Sequence, residues 1–277
     1  MTQHPQTAPG DVGRTYDAFA EAGTTNALGG NIHVGYWADG AGSGIPVDEA
    51  TDRLTDLVAD RLAPEHGTHL LDVGCGNGVP ALRIAASRGV RVTGVTVSAQ
   101  QVREASARAR DHRVGGRTAF LLADAVDLPF EDASFDGAWA IESLLHIGDR
   151  TAALAELHRV VRPGGRLVVA DLCLRRPFTG VDRELLDGML GMYEIASIST
   201  PEEHRAHLAR SGWRLGELAD IGEQVRPSYG HAAAAFREIA ASPAAPAAER
   251  LTEAAELMTA FGEHPDTGYA LITAHRT

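Results

Sequence analysis

Residues 72–78 read Asp-Val-Gly-Cys-Gly-Asn-Gly, directly after the apolar run at 69–73 and just before a segment with helical spacing. Glycines in such a loop permit a tight turn and bring backbone N–H groups close to a ligand. A dinucleotide-binding loop would need a third glycine where Val79 stands and an acid where the next strand ends at Thr96. A P-loop would need a lysine that is absent. The loop therefore predicts a ligand site that is neither a dinucleotide-binding site nor a P-loop.

On both sides of this loop, short β-rich runs alternate with helical segments. Because the runs are apolar throughout, they are typical of strands buried on both faces of a sheet. Strands that alternate with helices predict a doubly wound α/β fold with a mostly parallel sheet. With two further strands near the C-terminus, we expect seven strands, at 69–73, 90–97, 118–124, 135–141, 166–174, 213–224 and 269–276.

The composition limits the class of protein. The chain has 277 residues, of which 44% are apolar and 22% are charged, as in globular proteins. Its 25 basic and 37 acidic residues give a net charge of −12, which disfavours a nucleic-acid partner. The only cysteines, Cys75 and Cys173, have no metal-ligand spacing. No apolar run has the length of a membrane helix and no signal core is evident, so we expect a cytoplasmic protein without a membrane partner.

The extra length beyond the sheet falls into separate segments. We interpret residues 1–12 as a loose tail and 13–277 as one domain. Within it we expect a helical lead-in at 13–67, a ligand-binding core at 68–174, and helical lid inserts at 175–198 and 225–262. Thr200 and Glu203 form a capping-box pattern that predicts a helix start. The apolar stripe of the Ala-rich insert favours core packing, with a dimer or lid surface as the alternative, so both monomer and homodimer stay open.

Several motifs around the loop agree with one family. Ala123-Asp124-Ala125 follows the third predicted strand, Ser134-Phe135-Asp136 leads into the fourth, and Arg162-Pro163-Gly164-Gly165 precedes the fifth. With the acid and GxGxG of residues 72–78, they resemble class I S-adenosylmethionine (SAM) methyltransferases. The resemblance implies a Rossmann-like fold, SAM as cofactor with S-adenosylhomocysteine as product, and a set of cofactor-binding residues: Asp72, Gly74, Cys75, Gly76, Asn77, Gly78, Thr96, Val97, Asp124, Ala125, Ile141 and Glu142.

The residue at the end of the second predicted strand departs from the usual family pattern. Most members have an acid there for the ribose hydroxyls, whereas this chain has Thr96. Thr96, Ser98 and Gln101 resemble a subgroup with the pattern TxSxxQ, in which the glutamine binds the ribose. An amide can both donate to and accept from a diol, so Gln101 is a candidate, with a solvated helix face as the alternative.

A second subgroup pattern lies in the lead-in, where residues 30–37 read Gly-Asn-Ile-His-Val-Gly-Tyr-Trp. It is similar to tocopherol-type C-methyltransferases and to bacterial natural-product enzymes of the rebeccamycin, rifamycin and mitomycin type. In these the lead-in covers the cofactor, so Tyr16, His33, Tyr36 and Trp37 become candidates for its methionine end. Burial in the core is the alternative for Trp37.

Candidate catalytic residues follow the fourth and fifth predicted strands, where ligands bind in this fold. Residues 142–146 read Glu-Ser-Leu-Leu-His and resemble a motif of the rebeccamycin-type enzymes. In those enzymes a histidine at the end of this motif and an acid after strand five act together as the catalytic base. His146 matches the position of the histidine, and Asp171 matches that of the acid. His146 is the first candidate for a general base because imidazole titrates near neutral pH. Asp171 would orient it or accept the proton itself. Glu142 would hold the cofactor's amino group or polarise the acceptor.

These observations predict transfer of a methyl group from SAM to a small, hydrophobic, natural-product-like acceptor, at a hydroxyl oxygen. Transfer to an electron-rich carbon or to nitrogen is the alternative, and a methyltransferase fold that works as a cyclase is a more distant one. Methylation of RNA or protein is a further alternative, and the acidic charge argues against RNA. We expect no metal, because His33, His204 and His207 lack a completing ligand pattern.

Overall fold

The structure is a computed structural model. It describes residues 13, 30–40, 44–111, 114, 116–241 and 248–277. The predicted loose tail at 1–12 and the candidate Tyr16 lie outside the described residues.

A seven-stranded sheet forms the centre of the described chain, in the order β3-β2-β1-β4-β5-β7-β6. The neighbouring pairs from β3 to β5 are parallel, and β7 is antiparallel to both of its neighbours, β5 and β6. The predicted doubly wound, mostly parallel sheet is confirmed. The strands are β1 (His69–Val73), β2 (Arg91–Thr96), β3 (Thr118–Leu122), β4 (Phe135–Ile141), β5 (Val161–Leu174), β6 (Trp213–Asp220) and β7 (Thr267–Arg276).

Helices connect these strands, and a 3-10 turn at Leu144–His146 follows β4. Both hydrogen bonds of the predicted capping box are present, between Thr200 and Glu203. The described helices are α1 (Val47–Leu62), α2 (Val79–Arg88), α3 (Ala99–Asp111), α4 (Arg150–Val160), α5 (Val181–Met192), α6 (Pro201–Arg210), α7 (Gly222–Val225), α8 (Pro227–Ala240) and α9 (Ala248–Glu263).

Two predicted strand boundaries differ from the structure by more than two residues, and both were wrong. β5 begins at Val161 instead of 166, because Pro163-Gly164-Gly165 continues the strand through a register shift opposite Phe135 and Gly137. The strand predicted at 213–224 ends at Asp220. There the Asp220 Oδ1 accepts a hydrogen bond from the Gly222 amide at 2.8 Å and starts the short helix α7. A side chain that bonds its own backbone competes with the sheet ladder.

The central strands of the sheet are buried on both faces, and alternate residues of β5 face different layers. Val168, Ala170 and Leu172 belong to the larger cluster, which includes side chains of α1, α5, α8 and α9. Val169 and Cys173 belong to the other, with side chains of α4 and α6. The apolar stripe of α9 is buried in the larger cluster, so the core interpretation is confirmed. Among the described residues no helix is long and apolar enough to span a bilayer.

Candidate active site

The glycine loop takes a shape that only glycine adopts without strain. Gly74, Gly76 and Gly78 have φ of 73°, 51° and 82°, in the left-handed region that favours glycine. A Cβ on Gly74 would lie 2.2 Å from the Cβ of Ser143, and one on Gly76 would lie 2.4 Å from Cδ1 of Ile32. The amides of Gly74 and Cys75 both donate to the Val95 carbonyl at 2.9 Å, which bends the loop over the end of β2.

A cavity of about 340 Å³ lies beside this loop, at the carboxyl ends of β1, β2 and β4. Its volume is within the range of small-molecule sites, and its position is where ligands bind in open α/β sheets. Most of the residues predicted from the sequence line it: His33, Asp72, Gly74, Cys75, Gly76, Thr96, Val97, Gln101, Asp124, Ala125, Ile141, Glu142 and His146.

Besides Tyr36, which is half-buried and packs against the larger apolar cluster, four predicted site residues within the described ranges do not line the cavity. Trp37 is fully buried and stacks on His231 at 5.5 Å between ring centroids, as the alternative of core burial expected. Asn77 donates from Nδ2 to the Gly30 carbonyl at 2.7 Å and so fastens the lead-in to the glycine loop. Gly78 starts helix α2, and the fourth residue, Asp171, is described below.

The threonine, serine and glutamine of the TxSxxQ pattern form a local hydrogen-bond chain. The Thr96 hydroxyl accepts from the Ser98 amide at 3.2 Å and donates to Oε1 of Gln101 at 2.6 Å. The Ser98 hydroxyl accepts from the Gln101 amide at 3.1 Å, at the start of α3. Because the amide oxygen of Gln101 accepts from Thr96, its nitrogen is the group available to a ligand. The pattern therefore orients a hydrogen-bond donor at the place where a family acid would accept.

Asp72 supplies a buried carboxyl group beneath the glycine loop. Its Oδ2 has no hydrogen-bond partner among the described residues. Burial raises the pKa of Asp72 to about 8, partly opposed by the nearby Trp139 side chain. An incoming positive charge would favour the ionised form. SAM carries a sulfonium and an ammonium group, so the orphaned oxygen and the close glycine loop fit this cofactor.

Glu142 connects the cavity with two distant parts of the chain. Its backbone has a φ of 46°, which is rare for a residue other than glycine. Its Oε1 accepts from the Val34 amide at 2.9 Å and from the Tyr269 hydroxyl at 3.0 Å. Burial raises the pKa of Glu142 to about 7, against the lowering effect of both hydrogen bonds. Glu142 thus fastens the lead-in and β7 to the cavity wall.

Two buried tyrosines near Glu142 differ in one respect that predicts opposite effects on stability. The Tyr269 hydroxyl bonds to Glu142, whereas the Tyr229 hydroxyl has no partner in the described chain. We expect Tyr269→Phe to lower the free energy of unfolding by about 1–3 kcal/mol, because it removes a donor to a buried carboxyl group. Tyr229→Phe removes an oxygen that bonds to nothing and should be neutral or stabilising. Urea unfolding of both variants checks this, and equal losses would contradict it.

His146 lies in the 3-10 turn after β4 and lines the cavity. Its Nδ1 is 2.9 Å from the carbonyl oxygen of Glu194. A carbonyl only accepts, so Nδ1 carries the proton and Nε2 has the lone pair. Burial lowers the pKa of His146 to about 4, with a smaller lowering effect from Arg150. The imidazole is therefore neutral at physiological pH, which is the form that a base requires.

Asp171 is fully buried on β5, and the structure does not hydrogen-bond it to His146. Neither carboxylate oxygen has a partner of good geometry among the described residues. Burial raises the pKa of Asp171 to about 7, although the Arg150 charge lowers it, as do the nearby amides of Leu172 and Leu145. The predicted pair of Asp171 with His146 is therefore not held by a hydrogen bond in this structure.

The three histidines considered as metal ligands have other surroundings. His33 donates from Nδ1 to the Val34 carbonyl at 2.8 Å, and its Nε2 lies 3.3 Å from the Thr55 hydroxyl. His207 pairs with the Thr151 hydroxyl at 2.8 Å. In the described ranges no group of three or more potential ligands is placed to hold a metal.

Known proteins resemble this chain over its whole length. A family model described as a methyltransferase domain matches residues 71–169. The O-methyltransferase resE of Aspergillus sclerotiorum is 41% identical, with 100% of both chains covered. The 27-O-demethylrifamycin SV methyltransferase of Amycolatopsis mediterranei is 39% identical, with 97% of both covered. Among solved structures, the [4+2]-cyclase SpnF is 33% identical with a TM-score of 0.83, and 99% of both chains is covered.

The fold, the cavity and these relatives agree. The left-handed glycine loop and the buried carboxyl group beneath it lie at the residues that the motifs indicated, at the carboxyl ends of the parallel strands. The cyclase shares the fold, while both of the more similar full-length relatives described above are named methyltransferases. The chain belongs to the family of S-adenosylmethionine-dependent O-methyltransferases.

Proposed function

We propose that this enzyme transfers a methyl group from SAM to a hydroxyl oxygen of a small, largely hydrophobic natural product. The observation that carries the proposal is the neutral His146 in the cofactor cavity, with its Nδ1 proton held by the Glu194 carbonyl. An alcohol becomes a better nucleophile when a base takes its proton during attack. Relatives named for O-methylation, including the rifamycin enzyme, support the same acceptor atom.

In this proposal the cofactor supplies an electrophilic methyl group, and the protein aligns it with the acceptor. Asp72, the glycine loop and Gln101 bind SAM, together with Glu142. The lone pair of His146 Nε2 would accept the hydroxyl proton as the oxygen–carbon bond forms and the methyl–sulfur bond breaks, with S-adenosylhomocysteine as the leaving group. The imidazolium that results keeps its Nδ1–H bond to the Glu194 carbonyl, which stabilises the positive charge. Alignment in a closed cavity provides most of the rate for such a displacement.

The acceptor would bind on the far side of His146, beneath α5 and the α8–α9 pair. These helices bury mainly apolar and aromatic side chains above the sheet, which favours a hydrophobic acceptor. The buried side chains in α5, in α8 and in the segments that flank α5 are Phe178, Leu186, Met189, Met192, Tyr193, Ile195, Tyr229 and Phe236. We propose that the inserts at 175–198 and 225–262 determine which acceptor is used.

Methyl-labelled SAM with 27-O-demethylrifamycin SV, the acceptor that one relative's name indicates, gives a direct test. A second arm uses a metabolite extract from the source organism. We expect a labelled methyl ether and one equivalent of S-adenosylhomocysteine, with NMR to assign the methylated atom. Label on carbon or nitrogen would overturn the hydroxyl proposal. A product formed without S-adenosylhomocysteine would indicate a cyclase.

A further inference from the structure

The turn that carries His146 is hydrogen-bonded to the chain that returns from the lid helix α5. We call Glu194–Ser199 the return segment. The amides of Ala196 and Ser197 donate to the Leu145 carbonyl at 3.0 and 3.3 Å. The Glu194 carbonyl accepts from His146, and Glu194 itself has a left-handed φ of 51°. A residue other than glycine holds this conformation only when its surroundings impose it.

One buried arginine bonds to both the turn and the return segment. The Arg150 guanidinium donates from Nε to the Leu144 carbonyl at 3.1 Å and from Nη2 to the Ser197 carbonyl at 2.9 Å. Its Nη1 donates to the Ser199 hydroxyl. Arg150 is 3% exposed. Because a guanidinium is planar with several fixed donors, these contacts set the spacing of the two segments in a way that lysine cannot reproduce.

The surroundings of Arg150 do not provide a close ion pair to explain its burial. Asp171 on β5 and Glu203 on α6 act on the guanidinium through space. Glu203 already bonds the Thr200 amide and hydroxyl. The imidazoles of His204 and His207 face it from α6, and His146 faces it from the turn. A buried cation costs stability unless its contacts compensate, and the contacts of Arg150 lead to the turn and the return segment.

The geometry points to Arg150 as a positioning residue for His146. It fastens the return segment to the catalytic turn, so that the Glu194 carbonyl holds the Nδ1 proton and Nε2 keeps its lone pair. The lid and the base are then one unit, and a displaced lid would leave the base without its orienting acceptor. The effect on catalysis rests on the proposed function. The effect of Arg150 on the tautomer of His146 is independent of the proposed function.

The test measures that tautomer directly. Long-range ¹H–¹⁵N spectra distinguish Nδ1–H from Nε2–H imidazoles, and comparison with a His146→Gln variant assigns the signal among the twelve histidines. We expect Nδ1–H in the wild type and a mixture of tautomers in Arg150→Met and Arg150→Lys. Ser199→Ala removes only the hydrogen bond from Arg150 Nη1, and it provides the test of the tautomer if the arginine variants fail to fold. It should shift the signal in the same direction but less.

The catalytic readout uses the acceptor that the labelling experiment identifies. We expect kcat of Arg150→Met to fall by about 100-fold, the size typical of a misplaced group. The dissociation constant of S-adenosylhomocysteine should change by less than about threefold, because Arg150 does not line the cavity. Arg159→Met is the matched control. It lies on the same helix and donates to the Phe130 and Leu128 carbonyls, away from His146, and should leave the tautomer and kcat unchanged.

The outcomes separate the two proposals. A wild-type Nε2–H imidazole, or an unchanged tautomer in all three variants at positions 150 and 199, would overturn the positioning role whatever the acceptor is. A tautomer that shifts as expected, in an enzyme that methylates carbon only, would leave the positioning role standing and overturn the hydroxyl proposal.

Discussion

The His146→Ala enzyme is expected to methylate a hydroxyl acceptor about 10²–10⁴-fold more slowly than the wild type, the usual contribution of a general base. The loss should appear in kcat, while the affinity for S-adenosylhomocysteine stays within a fewfold. The reason is the neutral imidazole in the cavity, whose Nδ1 proton is held by the Glu194 carbonyl. Steady-state rates with labelled SAM and calorimetric binding of the product provide the two measurements.

The pH dependence gives this prediction a second test. Burial lowers the pKa of His146 to about 4, so the basic form is kept as the pH falls through the ordinary range of histidine. The decline in kcat that His146 causes should therefore come only as the pH approaches 4, below the range in which the carboxyl groups of Asp72 and Glu142 titrate, and it should be absent in His146→Ala. His275→Ala is a suitable control, since this histidine lies on β7 and does not line the cavity. Near-normal turnover by His146→Ala would contradict the base assignment.

The Gly74→Ala enzyme is expected to lose cofactor affinity by roughly 30-fold or more. A left-handed residue with a side chain costs about 1–2 kcal/mol, and overpacking costs about 1–3 kcal/mol more. Both apply here, because φ is 73° and the new Cβ would lie 2.2 Å from the Cβ of Ser143. Each 1.4 kcal/mol changes the affinity about tenfold, and the loop can relieve the clash only by moving into the cavity.

A substitution at a second glycine distinguishes the effect of backbone strain from the effect of a steric clash. Gly164 has a φ of 81°, but a Cβ there would meet nothing within 4 Å. Gly164→Ala should lower stability by the strain alone and leave the dissociation constant of S-adenosylhomocysteine unchanged. Isothermal titration calorimetry and thermal unfolding of both variants test this pair. Equal affinities of Gly74→Ala and the wild type would show that the loop does not form the cofactor site.

The residues that sequence reasoning placed well are those whose role depends on near neighbours in the chain. The left-handed glycines of the loop and the hydrogen-bond chain from Thr96 to Gln101 lie within a few residues of each other, so the motif contains the geometry. Tyr269 and Arg150 have no such pattern, because their partners Glu142 and Ser199 are distant in sequence. Only the order of the strands brings them together.

Two further residues show where pattern and packing disagree. Trp37 belongs to a lead-in pattern, yet its indole fills the space beneath His231 and does not line the cavity, because a large ring gains most from full burial. Asp171 follows a pattern for a pair with His146, but alternation along β5 places it with Val169 and Cys173, on the face that packs against α4. Sequence spacing predicted that Asp171 lies near the end of β5, but it did not determine which face of the sheet the side chain occupies.

The position of β7 also has a consequence for the order in which the protein is made. Strand β7 lies between β5 and β6 and is hydrogen-bonded to both, so the sheet stays open until residues 267–276 leave the ribosome. The glycine loop and every motif of the cofactor site are synthesised much earlier. Since Tyr269 secures Glu142 at the cavity wall, a nascent chain would hold all the motifs and still lack a finished site, exposed meanwhile to aggregation at its open strand edges.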